Sequence, residues 1–292
     1  MEFQWYPGHM TKAKRQMQED IKLIDLIIEV IDARCPVSST NPDINSLANG
    51  KLRLVLLNKS DLSDRAANQK WIEYYKSKGY YAVELDSRDR KNMKGVQATL
   101  DEVCAAKFEK DRKRGIKNRP VRAMVVGIPN VGKSTFINSF AGKSVAKTGN
   151  KPGVTKGKQW IKLNKSVELL DTPGILWPKF EDKIVGLHLA FIGSINDAII
   201  ETRELALELT DFLKSEYPGV LKARYDVDED KVNLYDTVWD QISCYDEEYA
   251  QEQGIDKLDD EDVYNIIAEI MSRPDVQDII REEIEDYAGR KK

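Results

Sequence analysis

The eight residues GIPNVGKS at 127–134 constrain this chain more than any other feature. They follow a short apolar run (123–126) and precede an amphipathic stretch, as a glycine-rich loop does between a buried strand and a helix. Gly127 and Gly132 let consecutive backbone N–H groups turn toward one anion without Cβ interference. Lys133 supplies charge to the β and γ oxygens, and the Ser134 hydroxyl is placed to ligate Mg²⁺. Asn130, Val131, Gly132, Lys133, Ser134 and Thr135 are therefore the expected phosphate contacts.

Short apolar runs at 26–30, 52–57, 80–85, 123–126 and 167–170 alternate with polar, helix-like stretches such as 64–78 and 134–140. Each run ends in polar residues or glycine, the pattern of buried parallel strands with functional loops at their carboxyl ends. An α/β sheet with helices on both faces follows.

Two of those loops name the base and the metal. Asn58-Lys59-Ser60-Asp61 ends the second run. The Asp61 carboxylate can accept from N1–H and the N2 amino group of guanine, a donor pair that adenine lacks. The Lys59 stem can lie on the base. Alone, this tetrapeptide could equally be a helix cap; with the loop at Gly127 it selects GTP. Asp171-Thr172-Pro173-Gly174 ends the last run. Asp171 is expected to hold Mg²⁺ through water, and the Gly174 N–H to reach the γ-phosphate. Thr155 in Pro152-Gly153-Val154-Thr155 is the expected switch threonine on Mg²⁺ and γ-phosphate, with a simple turn as the alternative. Ser87, after the third run, is expected to contact the guanine O6 through backbone or hydroxyl.

The order of these motifs is unusual. In Ras-like GTPases the phosphate loop comes first and NKxD near the end; here NKSD and Ser87 precede the loop and DTPG comes last. The expected fold is a circularly permuted Ras-like P-loop GTPase domain, residues 1–177, followed by a smaller all-α domain, residues 178–292. The first domain includes a leader at 1–20 and a basic connector at 107–120 that joins the usual termini. The γ-phosphate sensor then runs straight into the second domain, implying a mechanical link. Apolar residues at helical spacing in 184–200, 202–217, 259–271 and 276–287 support the all-α reading.

Charge divides along the same line. Residues 1–200 carry a balance of +12 and residues 201–292 one of −16. Residues 141–167 hold seven lysines and no acid, a surface suited to a polyanion or simply to water. Trp160 within it either stacks on a base or packs in the core. Three cysteines without CxxC spacing argue against disulfides or zinc. MEFQWYPGHM is not expected to be a secretory signal, and no apolar run is long enough for a bilayer. A cytoplasmic location without membrane or DNA partners is expected.

Trp5-Tyr6-Pro7-Gly8-His9-Met10, Ile31-Asp32-Ala33-Arg34, NKSD, GIPNVGKS, PGVT and DTPG, in this order, resemble the YlqF/RbgA family, ribosome biogenesis GTPase A, across essentially the whole chain. The resemblance implies a bacterial GTPase acting late in assembly of the large ribosomal subunit. Its partners would be a precursor particle's RNA and proteins, with ribosomal RNA contacted by the helical C-terminal domain. It also implies slow intrinsic turnover, because Ile175 stands where Ras-like enzymes place a water-orienting glutamine. His9 is then the candidate in this chain for ordering water, the alternative being a packed or RNA-contacting residue. His188, on an apolar helix, is expected to be buried and structural. Asn130 matches the asparagine of potassium-activated GTPases, which makes K⁺ a candidate cofactor. The expected catalytic set is His9, Lys133, Thr155 and Gly174, and the expected metal ligands are Ser134, Thr155 and Asp171. A nucleotide-gated RNA-binding module and a signalling GTPase with a protein partner are the alternatives.

Overall fold

In a computed structural model, the described residues are 8–48, 50–116, 119–145, 159–162, 167–177, 180, 182–195 and 202–225. The chain divides into two compact units, Phe3–Glu181, and Asp182–Lys292 with Met1–Glu2.

The larger unit is built on a six-stranded sheet of order β3-β2-β1-β4-β6-β5. Its strands are β1 (Leu26–Asp32), β2 (Leu52–Asn58), β3 (Tyr81–Leu85), β4 (Val121–Val126), β5 (Gln159–Lys162) and β6 (Val167–Asp171). All neighbours pair in parallel except β5, which runs antiparallel to β6. The chain enters at the middle strand, β1, and moves out to β3. It then returns along α5 (Met93–Lys113) to β4, on the other side of β1. β1 and β4 therefore flank the point where the direction of winding reverses, the place where open α/β sheets bind ligands. The passage from α5 to β4 is the join a permuted order requires.

All seven residues of β1 are buried, which explains its nearly unbroken apolar sequence. Of its two acids, Glu29 is paired with buried Arg53 of β2, whose guanidinium also meets Asn45 and stacks 4.7 Å from the Tyr80 ring. Burial pushes the Glu29 carboxyl up despite the arginine.

Before the sheet lies α1 (Gly8–Asp20), and α2 (Pro36–Ser39) and α3 (Pro42–Leu47) come after β1. α4 (Arg65–Ser77) connects β2 to β3, its first turn capped by Asp64, which accepts from the Ala67 N–H at 2.7 Å. α6 (Lys133–Ala141) comes after β4.

The described part of the smaller unit is helical: α7 (Lys183–Phe191), α8 (Thr202–Glu216) and α9 (Val220–Tyr225). Apolar residues at helical spacing run over 184–200, and α7 ends within that stretch, at Phe191. Gly193 adopts φ 66° and donates to the Ala190 carbonyl, while Ser194 donates to that of Leu189, closing the helix end. His188 is buried on α7 as expected, edge-on to Phe212 at 5.8 Å. The segments 259–271 and 276–287 lie outside the described residues. Among the described residues, no helix is long and apolar enough to cross a membrane.

Candidate nucleotide site

Strand register brings the motif ends together. Asp32 pairs with Asn58 and Asn58 with Leu85, while Val125 pairs with Asp171. The loops after β1, β2, β3, β4 and β6 thus leave one carboxyl edge of the sheet.

Backbone geometry makes the loop after β4 depend on glycine. Gly127 has φ 150°, and a Cβ there would fall 2.3 Å from the Val30 carbonyl oxygen. Asn130 (φ 59°) and Gly132 (φ 91°) are both left-handed, which curls the main chain into a concave turn ahead of α6. Lys133 opens α6 with its side chain buried, donating to the Ile128 carbonyl at 2.7 Å. Burial lowers its ammonium to about 8, against the opposing pull of Asp171. Asp171, 2 % exposed, ends β6, and its Oδ1 has no hydrogen-bond partner. Burial raises its carboxyl to about 6, only partly countered by Lys133 and the Thr172 N–H. A buried carboxylate oxygen without a donor, close to a helix N-terminus carrying Ser134, fits a hard cation. Ser134 and Thr135 are half-buried at the start of α6, and Val131 is fully buried.

On the base side, buried Asn58 is a three-way brace. Its Nδ2 donates to the Val131 carbonyl at 2.7 Å, and its Oδ1 accepts from the Ser87 N–H at 3.0 Å. The Ser87 carbonyl accepts from Ser139 Oγ of α6 at 2.6 Å. Both backbone polar groups of Ser87 are thus engaged within the protein.

Lys59 is left-handed (φ 59°), and its Nζ lies 3.1 Å from Asp32 Oδ2. Asp32 is gripped by Arg34, Nε to Oδ1 at 2.9 Å and Nη2 to Oδ2 at 2.8 Å. These charges hold the Asp32 carboxyl well below the usual range despite burial. Asp61 sits on the 3-10 turn Ser60–Leu62, ion-paired to exposed Arg88.

Residues 122–236 match the family described as 50S ribosome-binding GTPase. Ribosome biogenesis GTPase A of Priestia megaterium is 49% identical over 248 residues, covering 84% of this chain and 86% of that protein. The chain belongs to the ribosome biogenesis GTPase A family. In fold it is similar to the GNP-bound crystal structure of YlqF from T. maritima, with a TM-score of 0.55, 24% identity, and coverage of 89% of this chain and 92% of that one. The GDP-bound structure of TM YlqF aligns with a TM-score of 0.53, 23% identity, and coverage of 88% and 92%.

As a member of this family the chain is a GTP hydrolase, and its α/β domain carries the motifs in permuted order. Asn58, Lys59, Ser87, Gly132, Lys133, Ser134, Asp171 and Gly174 lie along one sheet edge with Asp61 just beyond β2. Thr155 lies outside the described residues, and of His9 only the backbone, in the first turn of α1, is described. Ile175 is buried. Its N–H lies 3.4 Å from the Gly127 carbonyl, and its own carbonyl accepts from Asn41 Nδ2 at 2.8 Å.

Sequence reasoning gave no role to Asp32, Arg34 or Asn41. An acid and an arginine two apart at a strand end were a signal for the first two. Asn41 precedes a proline, which reads only as a helix start.

Proposed function

We propose that this GTPase acts on precursors of the large ribosomal subunit in the cytoplasm, bound in its GTP form and released after hydrolysis. The observation that carries the reading is the convergence of the 127–134 loop, Asn58 and Asp171 at the switch point of one sheet. The relatives' names add the ribosomal setting.

In this reading the loop's N–H groups and Lys133 take the β and γ phosphates, and Gly174 meets the γ-phosphate. Among the described residues Lys133 donates to the Ile128 carbonyl, and an arriving polyanion offers its ammonium a stronger partner. Ser134 and Asp171 would hold Mg²⁺, with Thr155 closing over it; the ion would offset negative charge on the phosphates. Asp61 reads the guanine, held in place by the Asp32–Lys59 and Asn58 contacts behind it. Asn130, half-buried in its left-handed turn, is the proposed neighbour of a K⁺; exchanging KCl for NaCl at equal ionic strength tests that by a fall in stimulated hydrolysis.

Ile175 offers the attacking water no hydrogen bond, so turnover by the isolated chain is slow and another group orders the water. His9 is that group within the chain, and a ribosomal group is the alternative. For RNA, the edge strand β5 supports a contact. Trp160 is 42 % exposed there, with the Arg122 guanidinium 5.6 Å from its ring, an arrangement able to stack on a base. The lysines of 141–167 surround it in sequence, and Lys214, Lys222, Arg224 and Arg273 supply positive charge in the proposed all-α domain 178–292.

GTP turnover measured with and without immature and mature large subunits tests the function. Strong stimulation by particles is expected; equal rates in all mixtures overturn it. Buried, apolar Ile175 also favours a second reading, a nucleotide-gated binding module in which hydrolysis is incidental. Particle release that is unaffected when hydrolysis is blocked with GTP binding intact selects that module.

A further inference from the structure

The segment after Asp171 is held at three points. Thr172 Oγ1 donates to the Val125 carbonyl at 2.7 Å, and the Ile175 N–H faces the Gly127 carbonyl. Both contacts tie it to β4 and the phosphate loop. The third leads elsewhere. Asn41, 2 % exposed, gives its Nδ2 to the Ile175 carbonyl at 2.8 Å and accepts at Oδ1 from the Asp43 N–H at 2.9 Å, capping α3. Asp43 in turn forms an ion pair with Lys14 of α1, Nζ to Oδ2 at 2.6 Å. A continuous polar path therefore runs from the residue after Gly174 to the helix whose first turn contains His9.

We propose that Asn41 is a positioning residue that couples the Asp171–Gly174 segment to α1, so that a change at the γ-phosphate position is delivered to that helix. The proposal rests on the reading that Gly174 meets the γ-phosphate. Gly174 now packs against the loop: a Cβ on it would fall 2.8 Å from the Pro129 nitrogen and 2.9 Å from Lys133 Nζ. A γ-phosphate that engages both Lys133 and the Gly174 N–H shifts Gly174, and Ile175 is the next residue. Because both ends of the Asn41 carboxamide are committed, the displacement either carries the α3 cap with it or breaks a buried hydrogen bond. An apolar side chain would seal this site equally well; a donor on one element and an acceptor on another is what transmission requires.

The test uses the full chain. Asn41→Asp keeps an acceptor for the Asp43 N–H and loses the donor to Ile175. Lys14→Gln cuts the far end of the path at a partly exposed residue, so it remains informative should the first variant fail to fold. Amide hydrogen exchange is followed at 8–20 and at 171–175, with GDP and with a non-hydrolysable GTP analogue, alongside kcat and KM for GTP. Wild type is expected to show nucleotide-dependent exchange at both places. Each variant is expected to keep the response at 171–175 and lose it at 8–20. Each should also lower kcat about tenfold with KM unchanged, and the double variant should fall no further than either single one. The coupling is overturned when 171–175 respond in wild type but 8–20 do not, when 8–20 still respond in the variants, or when the losses add. Absence of any response at 171–175 in wild type would instead overturn the Gly174 reading itself.

Discussion

Asn58 donates to the Val131 carbonyl at 2.7 Å across 73 positions of sequence, joining the end of β2 to the loop after β4. The same side chain accepts from Ser87, so one carboxamide fixes three loops. Asn58→Ala leaves a buried carbonyl and a buried N–H without these partners, a loss of about 1–3 kcal/mol. Thermal unfolding should show that loss, and a fluorescent GDP titration should show affinity reduced about tenfold or more. Unchanged affinity would mean that the loops hold their places without it.

Asp61 is predicted to choose the base. Asp61→Asn replaces an acceptor pair with one donor and one acceptor. GTP affinity should fall on the order of a hundredfold, while xanthosine triphosphate, with a carbonyl in place of the N2 amino group, should gain. Competitive titration measures the ratio. If the ratio is that of wild type, Asp61 does not read the base. Arg88, which pairs with Asp61 here, is exposed, so its replacement by alanine should leave the preference for guanine intact.

Gly174→Ala tests the proposed γ-phosphate contact. A methyl group would meet the Pro129 nitrogen at 2.8 Å and Lys133 Nζ at 2.9 Å, which gives it little room. GDP binding is expected to stay near wild type and hydrolysis to fall roughly ten- to a hundredfold. Stopped-flow GDP binding and single-turnover hydrolysis separate the two effects. Equal loss in both would place Gly174 in general loop packing.

His188 makes stability depend on pH. Burial lowers its imidazole to about 4, whereas the unfolded chain takes up the proton near pH 6.5. Between those values the unfolded state binds more protons, so stability present above pH 6.5 is lost as pH falls through 4, at up to about 1.4 kcal/mol per unit. His188→Leu should flatten the melting temperature of the helical unit across that window. An unaltered pH profile would show that other groups dominate.

The chemistry was legible because it is local. GIPNVGKS, NKSD and DTPG each need a short run of residues at a strand end, and a short run is visible in one dimension. The strands were legible for the same reason, since β1 and β2 are buried on both faces and read as continuous apolar runs. The end of α7 was less so: Gly193 stops the helix where the apolar pattern suggests continuation, because closure depends on hydrogen bonds made back to Leu189 and Ala190.

By itself, then, the chain's sequence determined which nucleotide it is built for, the permuted order of its loops and the helical character of α7 and α8. Tertiary structure alone decided how those loops are held. Asn58 reaches Val131, Asp32 locks Lys59, and Asn41 meets Ile175 across 134 positions. Such contacts come from strand register and burial, and a buried amide's partner is whatever polar group the fold sets beside it, which no spacing along the chain encodes.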